Sequence, residues 1–536
     1  MMQSTNTNAY DVLIKGGVLY DGGGGEPYAA DLAIQGDRIA AIGDLPDARA
    51  QTVIDARGLA VAPGFINMLS WAVESLIADG RSQSDIRQGV TLEVMGEGRS
   101  MGPLNEAMKQ EMRQRQGAIQ YDIAWTTLGE YLDFLARRGV STNVASFLGA
   151  ETLRIHALGY ADRPPTAAEL DQMRALTHQA MQEGAMGLST YLIYAPACYA
   201  HTDELIALAE VAASYGGLYI SHIRDEDDHI LDALDEFLTI ARQAKARAEI
   251  YHLKCSGEAN WGQLDLVIQK IEAARAEGLA ITADMYTYTA SSNNISSTIP
   301  AWAHEGGFEA LLQRLKDRAA RERIRPEISL PSAEKVLLVS FRSDALRPLT
   351  GKTLAEIAAL RGVSPEDTVM DLIVEDDSGI GAVYFKMSEE NVRRQIALPW
   401  VSFGSDGQSM SSEGVFLRSN THPRAYGNFA RLLGKYVREE RIITLPEAVR
   451  RLTALPAANL RLDRRGRLAR GYFADVVAFD PDTIRDNATF DRPHQYATGM
   501  AHVLVNGVPV LTDGEHTGAT PGRVVRGPGW TGGETR

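Results

Sequence analysis

Between residues 10 and 60 apolar and polar positions alternate with a period of two, in DVLIKGGVLYDGGGG, DLAIQGDRIAAIG and TVIDARG, with glycines between the runs. That period suits strands with one buried face, and the glycines mark the turns that join them. The same style returns near the other end, in ADVVAFDPDTI and HVLVNGVPVLTDGEHTG. Strands at both ends around a different middle predict a small β-sandwich domain built from both termini, over residues 8–62 and 456–525.

The middle of the chain, 63–455, has another rhythm. Short β-branched runs alternate with segments whose apolar residues recur every three or four positions, such as ELIALAEVAASYG, HILDALDEFLTIARQAKAR and QLDLVIQKIEAARAEG. Strands alternating with amphipathic helices indicate an α/β architecture with a parallel sheet. The runs VAPGFINML, GVTLEVMGEG, NVASFLGAE, GAMGLSTYLIY, GLYISHIRDE, AEIYHLKCSG, ITADMYTYT and WVSFGSDG make eight candidate strands, which predicts a closed (β/α)8 TIM-type barrel. Residues 290–399, between the seventh and eighth runs, exceed any ordinary connection and are expected to form an inserted lid or subdomain.

Bulk properties narrow the class. With 536 residues and 45% hydrophobic composition the chain has material for a large core, and its net charge of −15 argues against nucleic acid or an anionic membrane as partner. Two cysteines, Cys198 and Cys255, make no disulfide framework and fit a reducing compartment. The start, MMQSTNTNAYDVLIKGG, lacks the basic and apolar regions of a secretory leader, and no run of about 18 apolar residues is present. The expectation is a soluble cytoplasmic protein without nucleic-acid or membrane partners, its oligomeric state left open by the sequence.

In such barrels the catalytic groups gather at the carboxyl ends of the strands. His222 ends the fifth run and His252 the sixth, so neighbouring strands would bring the two imidazoles side by side as zinc ligands. Asp406 ends the eighth run, facing the same mouth, where a carboxylate serves as general base on a metal-activated water. An aspartate in an Asp-Gly turn is the plainer alternative.

The motifs also carry a resemblance. APGFI after an all-β opening resembles the amidohydrolase superfamily. The ordered set SHIRDE, H-x-K, DxYxY, SDG and HPRAYGNFARLLGKYVRE resembles the N-acyl-D-amino-acid deacylase (D-aminoacylase) family over nearly the whole chain. The resemblance implies one tight metal held by two histidines, matching His222 and His252, and by a residue after the second strand. The family's cysteine there falls on Gly98 or on Glu97 depending on where one residue is deleted; Glu97 is taken as the ligand, since two histidines and a glutamate form a catalytic zinc set with an open water position. Asp406 matches the catalytic aspartate. Lys254, Tyr194 and Tyr286 match substrate positions, and Arg424 the arginine that receives the substrate carboxylate, a task suited to a planar guanidinium.

Leu69-Ser70-Trp71 stands where the resembled family carries His-x-His, the ligands of a second, weaker metal. Leu69 and Trp71 are expected to fill that place with apolar side chains. One Zn2+ per chain is therefore expected, activating water to cleave the linear amide of an N-acyl amino acid, of D configuration by resemblance, or a similar carboxylate-bearing amide. A cyclic-amide hydrolase on the same barrel, and a metal-free binding homologue, are the alternatives. Cys255 is read as a small buried hydrophobe rather than a ligand, and His201 and His422 as structural.

Overall fold

The computed structural model describes residues 10–532. The first nine residues, which bear on the leader and on the start of the 8–62 segment, lie outside the described residues. Strands from both ends of the chain join in one nine-stranded sheet. The junction is the antiparallel pairing of Ala60–Pro63 with Val476–Phe479, in the register Ala62↔Val477. Val12, Ile14, Leu32, Ile34, Ile54, Val476 and Leu504 form its core.

Residue 64 separates this sheet from the barrel, although VAPGFINML reads as one strand in the sequence. Ala60–Pro63 pairs in the terminal sheet and Phe65–Asn67 opens the barrel. Gly64 stands between them because a Cβ there would lie 2.1 Å from Thr91 Oγ1, so only glycine permits the close approach.

The barrel strands follow in chain order: Phe65–Asn67, Val90–Met95, Asn143–Ser146 continued by Leu148–Gly149, Gly187–Tyr191, Leu218–His222, Arg247–Ile250, Ile281–Met285 and Val401–Phe403. Each pairs in parallel with the next. The third is interrupted at Phe147. Met68 N donates to Phe403 O at 3.3 Å and Asp406 N to Leu69 O at 2.9 Å, so the eighth strand closes on the first. Near-continuous burial explains why these strands read as apolar runs rather than alternating ones. The helices Thr202–Ser214, Ile230–Gln243 and Leu264–Ala276 cover the barrel from outside with the apolar stripes read from the sequence.

Between the seventh and eighth strands lies a unit with its own antiparallel sheet, Ser291–Asn294, Gly381–Tyr384 and Val336–Ser340. Its core, which includes Leu311, Leu315, Leu338, Ile357 and Ile373, is separate from that of the barrel. The helix Glu389–Ile396 instead buries Val392 and Ile396 in the main core. No helix among the described residues is long and apolar enough to cross a membrane.

Candidate active site

Three buried side chains converge at the carboxyl ends of the second, fifth and sixth strands. Glu97 follows Val90–Met95 in a tight turn flanked by Gly96 and Gly98, both at positive φ. The turn turns the Gly98 α-carbon against Tyr191, where a Cβ would lie 1.7 Å from Cδ1, so the ligand-type side chain is that of Glu97. His222 ends its strand. His252 lies two residues beyond its own strand at φ +32°, a left-handed conformation that costs a non-glycine residue energy. Asp284 of the seventh strand holds it there by accepting the His252 N–H at 2.9 Å.

Glu97 Oε1 lies 3.0 Å from His222 Nδ1 and 2.9 Å from His252 Nε2. The ligand atoms of these three residues all lie within 4.8 Å of one another. One carboxylate and two imidazoles match the nitrogen and oxygen preference of zinc. His222 Nε2, on the far side of its ring, is buried without a hydrogen-bond partner. That leaves Nδ1 as the nitrogen committed to the cluster. The residues present fit a divalent ion.

Burial alone would raise the Glu97 carboxyl, but the imidazoles of His252 and His222 beside it hold it below the usual carboxylate range. Burial lowers His222. His252 is also depressed by burial and by Lys254, yet Glu226 and Glu97 outweigh both and lift it to about 10. The ion-free cluster therefore holds one neutral and one protonated imidazole near neutral pH. Since a ligating imidazole must be neutral, binding a divalent ion is expected to release about one proton, and affinity should rise roughly tenfold per pH unit up to the His252 value. Calorimetry in buffers of different ionisation enthalpy measures this; ion uptake without proton release would show His252 already neutral.

Around the cluster the structure adds a residue that sequence reasoning missed. Glu226, four positions after His222 in SHIRDE, is buried with Oε1 3.0 Å from His252 Nδ1, 3.6 Å from His222 Nε2 and 2.5 Å from Lys254 Nζ. It orients the His252 ring from behind, as outer carboxylates commonly do for metal-binding histidines, while its approach to His222 is too long for a hydrogen bond. Its spacing from His222 was the only available signal. Lys254 Nζ also lies 2.6 Å from His252 Nδ1, so this expected substrate residue is engaged in the support of the cluster.

The other expected site residues share the same mouth. Tyr194 meets the edge of His222 with ring centroids 5.4 Å apart, and its hydroxyl accepts from Asn293 Nδ2 at 2.8 Å. Tyr286 lies beneath the Arg424 guanidinium, 4.6 Å from ring centroid to Cζ. Arg424 opens the helix Arg424–Arg431, with Nη1 2.7 Å from Asp406 Oδ2. Its Nη2 donates to Ser292 O at 3.3 Å, which ties it to the first strand of the inserted unit. Asp406 sits at φ +48°, and burial raises its carboxyl even against the opposing Arg424 charge.

His422 is buried and neutral, accepting the Arg424 N–H on Nδ1 at 3.0 Å and donating from Nε2 to Ala290 O at 2.9 Å. His201 is an exposed residue before Thr202–Ser214. Cys255 packs in the main core, outside the ligand cluster.

Trp71 departs from expectation. Leu69 is apolar and buried in the barrel interior with Met68, Leu92, Val94 and Tyr251. Trp71, however, directs a polar atom into the site: Nε1 lies 2.9 Å from Glu97 Oε2 and 3.1 Å from Asp406 Oδ1. An indole keeps an N–H donor that seeks an acceptor when it is enclosed, which a purely apolar reading of tryptophan omits.

Comparison with known proteins agrees with this fold. Residues 52–511 match the amidohydrolase family. D-aminoacylase of Alcaligenes xylosoxydans xylosoxydans is 35% identical over 528 residues, spanning 98% of this chain and 99% of that protein. N-acyl-D-aspartate deacylase of the same organism is 35% identical over 518 residues, spanning 96% and 95%. The crystal structure of N-acyl-D-glutamate deacylase from Bordetella bronchiseptica, complexed with zinc and a phosphonate mimic of the tetrahedral intermediate, superposes with a TM-score of 0.81 at 33% identity, over 97% of this chain and 100% of that one. The chain belongs to the amidohydrolase family. It is accordingly a hydrolase of carbon–nitrogen bonds other than peptide bonds, as its motifs led one to expect.

Proposed function

We propose that the protein removes the acyl group from N-acyl-D-amino acids by hydrolysis, with one zinc ion held by Glu97, His222 and His252. The observation that carries this reading is the convergence of those three ligand atoms within 4.8 Å at the barrel mouth. Relatives named for deacylation of N-acyl-D-amino acids, one of them solved with zinc, support the substrate class. When bound, the ion supplies Lewis-acid polarisation of the amide carbonyl and acidification of a water molecule.

The chain's own residues do the rest. Asp406 takes the water proton and returns it to the leaving nitrogen. Its Oδ2 is masked by Arg424 in the free protein. A substrate carboxylate that engages Arg424 competes for that guanidinium and releases Oδ2 to accept the proton. Tyr286 stacks beneath Arg424 and keeps its fork planar to the incoming carboxylate. Lys254 donates to Glu226 and keeps further N–H groups that can reach an acyl or carboxylate oxygen.

Charge supports an anionic substrate. Glu97, Glu226 and Asp406 face Lys254 and Arg424; with His252 neutral, a bound dication leaves the site one positive charge in excess. A substrate bearing one carboxylate balances it, whereas a neutral cyclic amide does not. The test is a panel of N-acetyl-D- and N-acetyl-L-amino acids, including aspartate and glutamate, on protein of measured zinc content. Turnover of D isomers is expected. Zinc-loaded protein that hydrolyses none of them, or only a cyclic amide, would overturn the reading.

A further inference from the structure

Trp71 contributes more than volume. The segment Leu69-Ser70-Trp71 is stitched between the second and eighth strands: Ser70 N donates to Val94 O, Trp71 N to Gly407 O, and Leu69 O accepts from Asp406 N, each at 2.9 Å. This backbone fixes where the indole lies. Its single N–H then points between two carboxylates, Glu97 Oε2 at 2.9 Å and Asp406 Oδ1 at 3.1 Å. The remaining oxygens are committed elsewhere, Glu97 Oε1 to the two histidines and Asp406 Oδ2 to Arg424.

Two carboxylates converging in a buried site repel unless something positive stands between them. A cation would serve. Here the positive end of an indole N–H dipole occupies that place. Unlike a histidine, the indole is a donor only and does not titrate in the ordinary pH range, so it neither ligates an ion nor changes charge. We propose that Trp71 is a positioning residue that takes the place of a second cation: it ties the free oxygen of Glu97 to Asp406, keeps Asp406 turned toward the ligand cluster, and closes the space a further ion would need. The proposal rests on the one-zinc reading above and concerns the link between the ligand and the base.

Three forms are compared: the full-length protein, Trp71→Phe, which keeps the ring and removes the N–H, and Trp71→His, which opens space and offers a ligand nitrogen. Zinc is titrated and the bound ratio measured after excess zinc is removed. The natural protein should stop at one zinc even in excess, and Trp71→His should take up a second. Trp71→Phe should keep one zinc, bound about 10- to 100-fold more weakly, with kcat reduced in the same range and KM little changed. The natural protein's tryptophan fluorescence should also change on zinc binding, a signal that Trp71→Phe loses.

The proposal is overturned if Trp71→Phe matches the natural protein in zinc affinity and kcat, if Trp71→His stays at one zinc, or if the natural protein takes up a second zinc beside Trp71. Should Trp71→Phe not fold, the last measurement still decides. A natural protein with no zinc and no turnover would instead sink the function proposed above.

Discussion

Glu97→Ala is expected to strip the metal and abolish turnover. In the proposed function three side chains would hold the ion, and structural zinc sites in peptides are worth roughly 10–16 kcal/mol at neutral pH. If that affinity divides about evenly among three ligands, losing one costs about 3–5 kcal/mol, roughly 10²- to 10⁴-fold in affinity. Part of the loss is offset, because Glu97 is one of the two groups that hold the proton on His252, so without it less proton must be displaced. Trp71 keeps Asp406 as an acceptor and Glu226 still braces the His252 ring, so the fold around the site should survive. Zinc content after equilibration in a zinc buffer, with a thermal melt as control for folding, measures the effect. Full occupancy in the variant would mean that the third ligand lies elsewhere.

How much of this site a reader of the sequence could see depends on the distance over which each signal acts. The barrel was visible because eight apolar runs alternate with helices of period 3.6, and each run carries its signal within a few residues. His222 and His252 were visible because strand ends mark height in a barrel, so two residues 30 positions apart in the chain could be placed side by side. The join at Gly64 was not visible: VAPGFINML has one continuous pattern, and what divides it is a contact with Thr91 on the next strand. Glu226 and the Arg424–Asp406 pair were hidden for the same reason, since a charge four residues from a histidine or eighteen from an aspartate looks like any solvated charge until the fold buries it. Trp71 is the instructive miss. The sequence announced an absence, no ligand where the resembled family has two, and absence was read as apolar filling. What replaced a ligand was a hydrogen-bond donor, and its two acceptors come from strands on either side.

Asp406→Asn separates the metal from the chemistry, and the expected outcome is a protein that keeps its zinc but turns over about 10²- to 10⁴-fold more slowly, the usual contribution of a positioned general base. Asparagine has the same shape, so its carbonyl oxygen can still accept from Trp71 Nε1, and Glu97, His222 and His252 are untouched. What is lost is the proposed acceptor of the water proton. A second consequence follows from the ion pair. Arg424 is buried, with its Nη1 2.7 Å from Asp406 Oδ2, and removing its anionic partner leaves a guanidinium supported only by Ser292 O and the face of Tyr286. Stranding one member of a buried pair costs on the order of 3 kcal/mol, so the melting temperature of the free variant should fall. A substrate or product carboxylate would restore the missing charge, so ligand should stabilise the variant more than the natural protein, in which Asp406 competes for the same arginine. Kinetics, zinc content and melting with and without an N-acyl-D-amino acid test the three parts together. Normal turnover would remove Asp406 as the base, whereas lost turnover without the gain in ligand-induced stability would remove Arg424 as the carboxylate receptor.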